Sequence, residues 1–374
     1  MGELLVAPST WGLNRLFSVP PSASQSPTNG VQAIFYAGEP YQGHATCVFA
    51  YLGRPEAAPP WPGMVLVHGG GGTAFAEWVR LWTARGYAAI AMDLAGCGPE
   101  RQPLPDGGPG QDNATKLLDP TVCWQDHWMY HSVASILRAH SLLAAVAGVD
   151  SRRIGLTGIS WGAILTFIVV GVDPRFVCAV PVYGRAFLDE GGAMQRAFAA
   201  LDPATRRHWR AYCDPAVHLG AATLPMLFIA STNDIHSPLD AYQRTYRLAR
   251  GERTLSIRRA MKHGHPAGWA PPEIALFTDH WLRGAPALPS ISEISVTGKT
   301  VSARIQAARP LASATLLFTT DHTTWPERQW QEAPATLDAD QIRATLPAGV
   351  SAYFLAVADA AGAHVTTPHV SSGD

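Results

Sequence analysis

The sequence predicts an α/β chain: a mostly parallel, doubly wound sheet over residues 1–286, then a small all-β sandwich over residues 287–374. Three observations carry this expectation. Short apolar runs alternate with helix-period segments for roughly 250 residues, the pattern of strands joined by crossover helices on both faces of one sheet. After PALP at 286–289 the period switches to two and no helix-length segment follows. The 374 residues also exceed the length at which one core usually stops growing, ~250–300 residues.

The elements follow in order. Residues 1–30, rich in Pro, Ser and Gly, read as an extended lead-in. VQAIFY (31–36) and ATCVFAYL (45–52) read as strands. MVLV (64–67) is a short, wholly apolar run, as expected for a strand covered on both faces. Residues 73–86 have helical spacing and end at Arg85-Gly86, a helix stop. YAAIAMDL (87–94) is the next buried strand. Residues 95–125 lack periodicity and form a long loop, of the kind that usually carries function.

A long helix spans 127–146, with Asp126 as its expected N-cap rather than part of a metal cluster with His127 and His131. RIGLTG (153–158) is a strand running directly into a helix at 161–171. A strand at 176–184 precedes a helical insertion over about 185–223, read as a lid or insertion. Strands at 224–231 and 254–260 alternate with helices at 238–251 and 272–284. Beyond residue 287, ISEISVTG, TVSARIQA, SATLLFTT, IRATLPAG and AYFLAVAD read as alternating strands.

Composition removes several function classes. Net charge is −1, so no bulk attraction to nucleic acid or an anionic membrane is expected. No 18-residue apolar run suggests a membrane helix. The start, MGELLVAPSTWGLNRLF, lacks a basic region followed by a long apolar one, which points to the cytoplasm, with a secreted or periplasmic protein as the alternative if a signal peptide was removed. The five cysteines are scattered, without zinc spacing. No GK[ST] or G-x-G-x-x-G appears, so neither metal nor cofactor is expected.

The sharpest motif is Gly158-Ile159-Ser160-Trp161-Gly162, set between a buried strand and an apolar helix. That context makes it a nucleophile elbow, with Ser160 exposed at a helix N-terminus that favours developing negative charge. His68-Gly69-Gly70-Gly71-Gly72 follows strand MVLV. Such a loop supplies one oxyanion donor and the residue after the nucleophile another, here Gly70 and Trp161, with Gly71 as the alternative to Gly70. His68 is expected to anchor the loop.

A serine hydroxyl needs a general base, and the base needs an orienting acid. Asp234 ends strand LPMLFIAS, and His263 follows the strand at 254–260. Both lie at the sheet edge where open α/β sheets place their sites. His265 is the alternative base. Tyr183, Trp124, Trp269, His265 and Gly71 fall near the same edge and are candidate pocket residues.

On HGGGG, GISWG, the TND segment and the HGH segment, residues 30–285 resemble the α/β-hydrolase superfamily. VFAYLGRPE, FAEWVRLWTARGYAAIAMDL and VDPRFVCAVPVYG are similar to its acetylxylan esterase and prolyl-oligopeptidase-like branch. The trailing module resembles the C-terminal region of the PhoPQ-activated pathogenicity-related group. The resemblance implies catalytic roles for Ser160, Asp234 and His263. It also implies a serine esterase acting on short acyl, chiefly acetyl, esters of a small molecule or a carbohydrate. An aminopeptidase-like serine peptidase and a non-catalytic glycan-binding protein are the alternatives. Ala163 departs from the pattern, because many relatives have a second glycine there. Nothing in the sequence indicates an oligomeric state.

Overall fold

A computed structural model of the chain describes residues 11–24, 30–112, 116–117, 121–338 and 340–371. Among them nine strands form one sheet: β1 (Ser22–Ser24), β2 (Val31–Ala37), β3 (Cys47–Gly53), β4 (Trp61–Val67), β5 (Ala88–Met92), β6 (Val149–Ile159), β7 (Cys178–Val182), β8 (Met226–Ser231) and β9 (Arg253–Arg258). Their order is β1-β2-β3-β5-β4-β6-β7-β8-β9. The first three are antiparallel to their neighbours, including β3 on β5, and the other six run parallel.

The wholly apolar strands follow from cover on both faces. Met64 and Leu66 of β4 point to the helices Ala76–Thr83 and Pro272–Arg283, where Trp78, Val79, Ile274 and Phe277 are buried. Val65 and Val67 point the other way, to helices Trp128–Ala144, Trp161–Val172 and Leu239–Tyr246. Each fully buried Leu, Ile or Phe side chain contributes about 1.5–3 kcal/mol relative to exposure.

The lead-in is not simply extended. It holds a short helix, Leu13–Leu16, and β1, while its residues 1–10 and 25–29 lie outside the described residues. Trp11 and Leu16 are buried, which explains why helix Trp128–Ala144 is buried almost all round. Glu39 is buried between Arg15 and Arg138 and accepts from Tyr130 Oη at 2.9 Å, joining this lead-in to the helix. Asp126 does not cap that helix: His127 occupies the N-cap, and the Asp126 carboxylate accepts from Gln42 N at 2.7 Å. The insertion is helical at Gln195–Ala199 and Pro203–Tyr212, followed by two 3-10 turns.

The C-terminal part holds two antiparallel sheets. One comprises β10 (Ser290–Ile291), β11 (Ser295–Thr297), β12 (Thr300–Gln306), β15 (Thr336–Asp338) and β16 (Gln341–Thr345). The other comprises β13 (Leu311–Thr319), β14 (Gln331–Pro334), β17 (Ala352–Asp359), β18 (His364–Thr366) and β19 (Val370–Ser371). AYFLAVAD does not alternate in burial as expected; seven of the eight residues of β17 are buried. Tyr353, Leu355 and Val357 pack with Val301 and Ile342 of the other sheet. Phe354 and Ala356 join the cluster that holds Leu239 and Tyr242 of the main body. The second sheet is therefore covered on both faces, like the parallel one. Gln243 Nε2 donates to His369 O at 2.8 Å, and Ile257 N of β9 donates to Thr366 Oγ1 at 3.3 Å.

Candidate active site

Ser160 sits between β6 and helix Trp161–Val172 with φ 57° and ψ −117°, a conformation that L residues rarely adopt. The flanking glycines are steric requirements. A Cβ at Gly158 would lie 2.2 Å from Gly162 O, and one at Gly162 would lie 2.1 Å from Val67 O. The departure at Ala163 has its own accommodation: a Cβ on Gly184 would come within 2.5 Å of the Ala163 Cβ. The extra methyl group occupies space that Gly184 leaves open.

Ser160 Oγ and His263 Nε2 are 2.8 Å apart, and His263 Nδ1 is 2.8 Å from Asp234 Oδ2. Asp234 is 4% exposed, and its Oδ1 accepts from His236 N at 2.7 Å and Ser237 N at 3.2 Å. The carboxylate thus faces His263 with one oxygen only, which sets the proton on Nδ1 and leaves Nε2 as the acceptor facing Ser160. The His263 ring lies between Tyr183 (centroids 4.3 Å apart) and His236 (4.4 Å).

His265 is not in this relay. Its Nε2 accepts from Gly69 N at 2.9 Å, its ring packs 4.7 Å from Phe75, and burial first, then nearby positive charge, hold its pKa down at about 4. His68 anchors the same loop. Its Nδ1 bonds Gly69 O at 2.7 Å, its Nε2 accepts from Leu94 N at 3.0 Å, and burial lowers its pKa to about 4. A neutral ring protonated on Nδ1 satisfies both contacts.

The glycine amides then sort themselves. Gly69 N is taken by His265, Gly71 N donates to Gln111 Oε1 at 3.2 Å, and Gly72 N donates to Gly69 O at 3.1 Å. Gly70 N and Trp161 N have no partner among the described residues. The alternative donor Gly71 is occupied on both sides, since its carbonyl accepts from Arg101 Nη2 at 2.8 Å.

The aromatic candidates for the pocket turn to other neighbours. Trp124 contacts Trp11, Tyr130 and Tyr212, and Trp269 packs on Phe75 and Trp78; neither ring contacts the relay. Tyr183 is buried beneath His263, where its hydroxyl donates to Gly264 O at 2.5 Å and accepts from Gly264 N at 3.2 Å. It props the base loop instead of lining a pocket.

Several residues near the site went unread. Gln111 and Arg101 belong to the aperiodic 95–125 stretch, of which 113–115 and 118–120 lie outside the described residues. Lys116, from the same stretch, places its ammonium 4.8 Å from the centre of the Trp161 ring. Arg185 is buried and donates to His236 O at 3.0 Å, tying the insertion to the acid loop. A local signal existed only for His236, two residues from Asp234 on the same strand-end loop.

A large parallel sheet with helices on both faces, an elbow serine and an acid–base pair at its edge define an α/β-hydrolase. Residues 20–204 match the acetyl xylan esterase (AXE1) family model. The structure is similar to an acetyl xylan esterase from Paenibacillus sp. R4, at 21% identity and TM-score 0.59, over 75% of this chain and 100% of that one. It is also similar to acetyl xylan esterase 1 from Thermoanaerobacterium sp. JW/SL YS485, at 16% identity and TM-score 0.59, over 73% and 94%. Acylaminoacyl peptidase from Pyrococcus horikoshii aligns over 67% of this chain and 42% of its own, at 20% identity and TM-score 0.51. No curated protein sequence matches the chain. The chain has the α/β-hydrolase fold, and over residues 20–204 it is similar to the acetyl xylan esterase family, which supports a serine ester hydrolase. Among the described residues no helix is long and apolar enough to cross a membrane.

Proposed function

We propose that the protein removes short acyl groups, acetyl first, from a hydroxyl-bearing small molecule or carbohydrate, with Ser160, His263 and Asp234 as its triad. The observation that carries this reading is the unbroken relay from Ser160 Oγ through His263 to Asp234, at 2.8 Å in each link. The match of residues 20–204 to acetyl xylan esterase supports acetyl as the acyl group. Five free thiols support a reducing compartment.

In this mechanism Ser160 Oγ attacks the ester carbonyl carbon while His263 Nε2 takes its proton. The carbonyl oxygen becomes an oxyanion held by Gly70 N–H and Trp161 N–H. The intermediate collapses, and the alcohol leaves with the proton from His263. Water then attacks the acyl-enzyme, giving up its proton to His263, and the carboxylic acid departs as Ser160 recovers its hydrogen. Asp234 keeps the imidazole in its tautomer and stabilises the imidazolium.

The test is a series of p-nitrophenyl esters of rising chain length, run beside acetylated sugars and a dipeptide p-nitroanilide. Activity should be confined to acetyl and propionyl esters, and Ser160→Ala should lose several orders of magnitude in kcat. A preference for octanoyl esters or for the anilide would overturn the assignment. Full activity in Ser160→Ala would remove the serine mechanism itself.

A further inference from the structure

Asn233 precedes Asp234 and makes no contact with the relay, yet every polar atom of its side chain is engaged. Its Nδ2 donates to Pro326 O at 2.9 Å and to Arg328 O at 2.8 Å. Both carbonyls belong to the C-terminal sandwich, around the 3-10 turn Trp325–Glu327. That turn is itself held in place: the Trp325 ring packs 4.8 Å from His369, and the Arg328 guanidinium lies 3.8 Å over Trp325. Asn233 Oδ1 accepts from Thr232 Oγ1 at 2.6 Å. The same hydroxyl accepts from Ala260 N at 3.0 Å. Ala260 has φ 47°, and it opens the loop that carries His263.

These contacts form one chain. It runs from the sandwich turn through Asn233 to the acid loop, and through Thr232 to the base loop. β8 and β9 are neighbours, so both loops leave the same edge of the sheet; past the last ladder pair, Ser231 with Arg258, one more backbone bond follows, from Thr232 N to Arg258 O at 3.0 Å, and Asn233, Asp234 and the residues from Ala260 on lie beyond it. A displacement of about 1 Å at a reacting group costs ~10²-fold in rate. We propose that Asn233 is a positioning residue through which the C-terminal sandwich sets the distance between Asp234 and His263. The proposal rests on the triad reading above and gives the sandwich a part in catalysis besides covering apolar surface.

The chemistry of the contact is specific. Two carbonyl acceptors and one hydroxyl donor converge on the side chain, and a short carboxamide offers two donors and one acceptor in that arrangement. The substitution Asn233→Asp would turn a carboxylate toward two carbonyl oxygens, and Asn233→Leu would keep the shape without a donor. Thr232→Val removes only the hydroxyl that reaches Ala260 and leaves the sandwich contact intact.

The experiment compares full-length N233L and T232V with the wild type. Measured are kcat and KM on p-nitrophenyl acetate, fluorophosphonate labelling rate and thermal midpoint. Both variants should lose ~10–100-fold in kcat, with KM within about threefold. A loss confined to kcat marks a change in the reacting geometry, since neither variant touches a binding surface. Labelling by the fluorophosphonate should slow in proportion to kcat. A variant whose thermal midpoint falls while kcat and the labelling rate stay at wild-type values shows a merely structural contact and overturns the proposal. If N233L does not fold, T232V decides alone, since it alters a single hydroxyl. Failure of the triad reading is distinguishable: Ser160→Ala would then keep its activity, whatever the Asn233 variant does.

Discussion

Replacing Asp234 by Asn tests the tautomer argument directly. The two backbone donors, His236 N and Ser237 N, both point at Oδ1. In the Asp234→Asn variant the carbonyl oxygen must stay there, which puts the amide nitrogen where Oδ2 stood, 2.8 Å from His263 Nδ1. A donor at that place forces Nδ1 to accept, so the proton moves to Nε2 and the ring can no longer take the Ser160 proton. Restoring the productive tautomer requires flipping the amide against two backbone N–H groups. At about 1–3 kcal/mol for each unsatisfied buried group, the flip costs about 2–6 kcal/mol. At 1.36 kcal/mol per decade this is a loss between ~30-fold and ~10⁴-fold. Loss of the charge that stabilises the imidazolium pushes the result toward the upper end, where the same exchange in another Ser-His-Asp triad falls. The assay is steady-state hydrolysis of p-nitrophenyl acetate with a thermal midpoint alongside. KM should stay within about threefold, because the substitution touches no binding surface. A folded Asp234→Asn variant within tenfold of wild-type kcat would refute the reasoning.

Two further expectations concern stability. Glu39→Ala leaves the buried Arg138 guanidinium without its carboxylate; breaking one side of a buried pair costs about 3–5 kcal/mol. Urea denaturation should show the loss, and an unchanged midpoint would contradict the pairing. His68 and His218 are buried with pKa values lowered to about 4, and His369 to about 3, against an ordinary 6.5, because burial disfavours the charged ring. Their folded pKa lies below the unfolded one, so the stability they contribute is complete above pH 6.5 and is lost as pH falls through about 4. Each contributes a slope of up to ~1.4 kcal/mol per pH unit in that window, so urea midpoints should drop steeply between pH 6.5 and 4.5. A flat profile there would mean these rings are not buried neutral.

The parallel sheet was legible because strands covered on both faces must be continuously apolar, and MVLV and AIAM leave no other reading. The same rule misled at AYFLAVAD, which resembles an alternating strand until its second apolar face meets the main body. The elbow was legible because close approach of backbone to backbone at Gly158 and Gly162 leaves a local trace in the sequence. His263 was legible as the base ahead of His265 only by its place nearer the strand end, two residues before the first residue of helix His265–Trp269. Residues that act across long separations left no trace at all. Gln111 reaches Gly71 across 40 residues, and Asn233 reaches Arg328 across 95. The placing of Trp124 and Trp269 as pocket candidates failed for a related reason. Trp124 and Trp269 lie near the right strand ends along the chain, but each has a buried aromatic neighbour to pack against, and that burial outweighs exposure at a pocket.

The anatomy of the glycine loop follows from a conflict between mobility and preorganisation. Four successive glycines are the most mobile backbone the chain could place beside a nucleophile, and fixing each residue costs about 1–2 kcal/mol of entropy. Oxyanion stabilisation nevertheless requires donors that are already in place when charge develops. In the proposed mechanism the loop would meet that requirement: three of its four amides are engaged, and Gly70 N–H has no partner among the described residues. Two of the three engaging groups are uncharged side chains: the neutral imidazole of His265 and the amide of Gln111. A charged residue in either place would cost more to bury and would put a fixed charge beside the forming oxyanion. Here the work falls to neutral groups and backbone dipoles, with the Asp234 carboxylate held on the far side of His263.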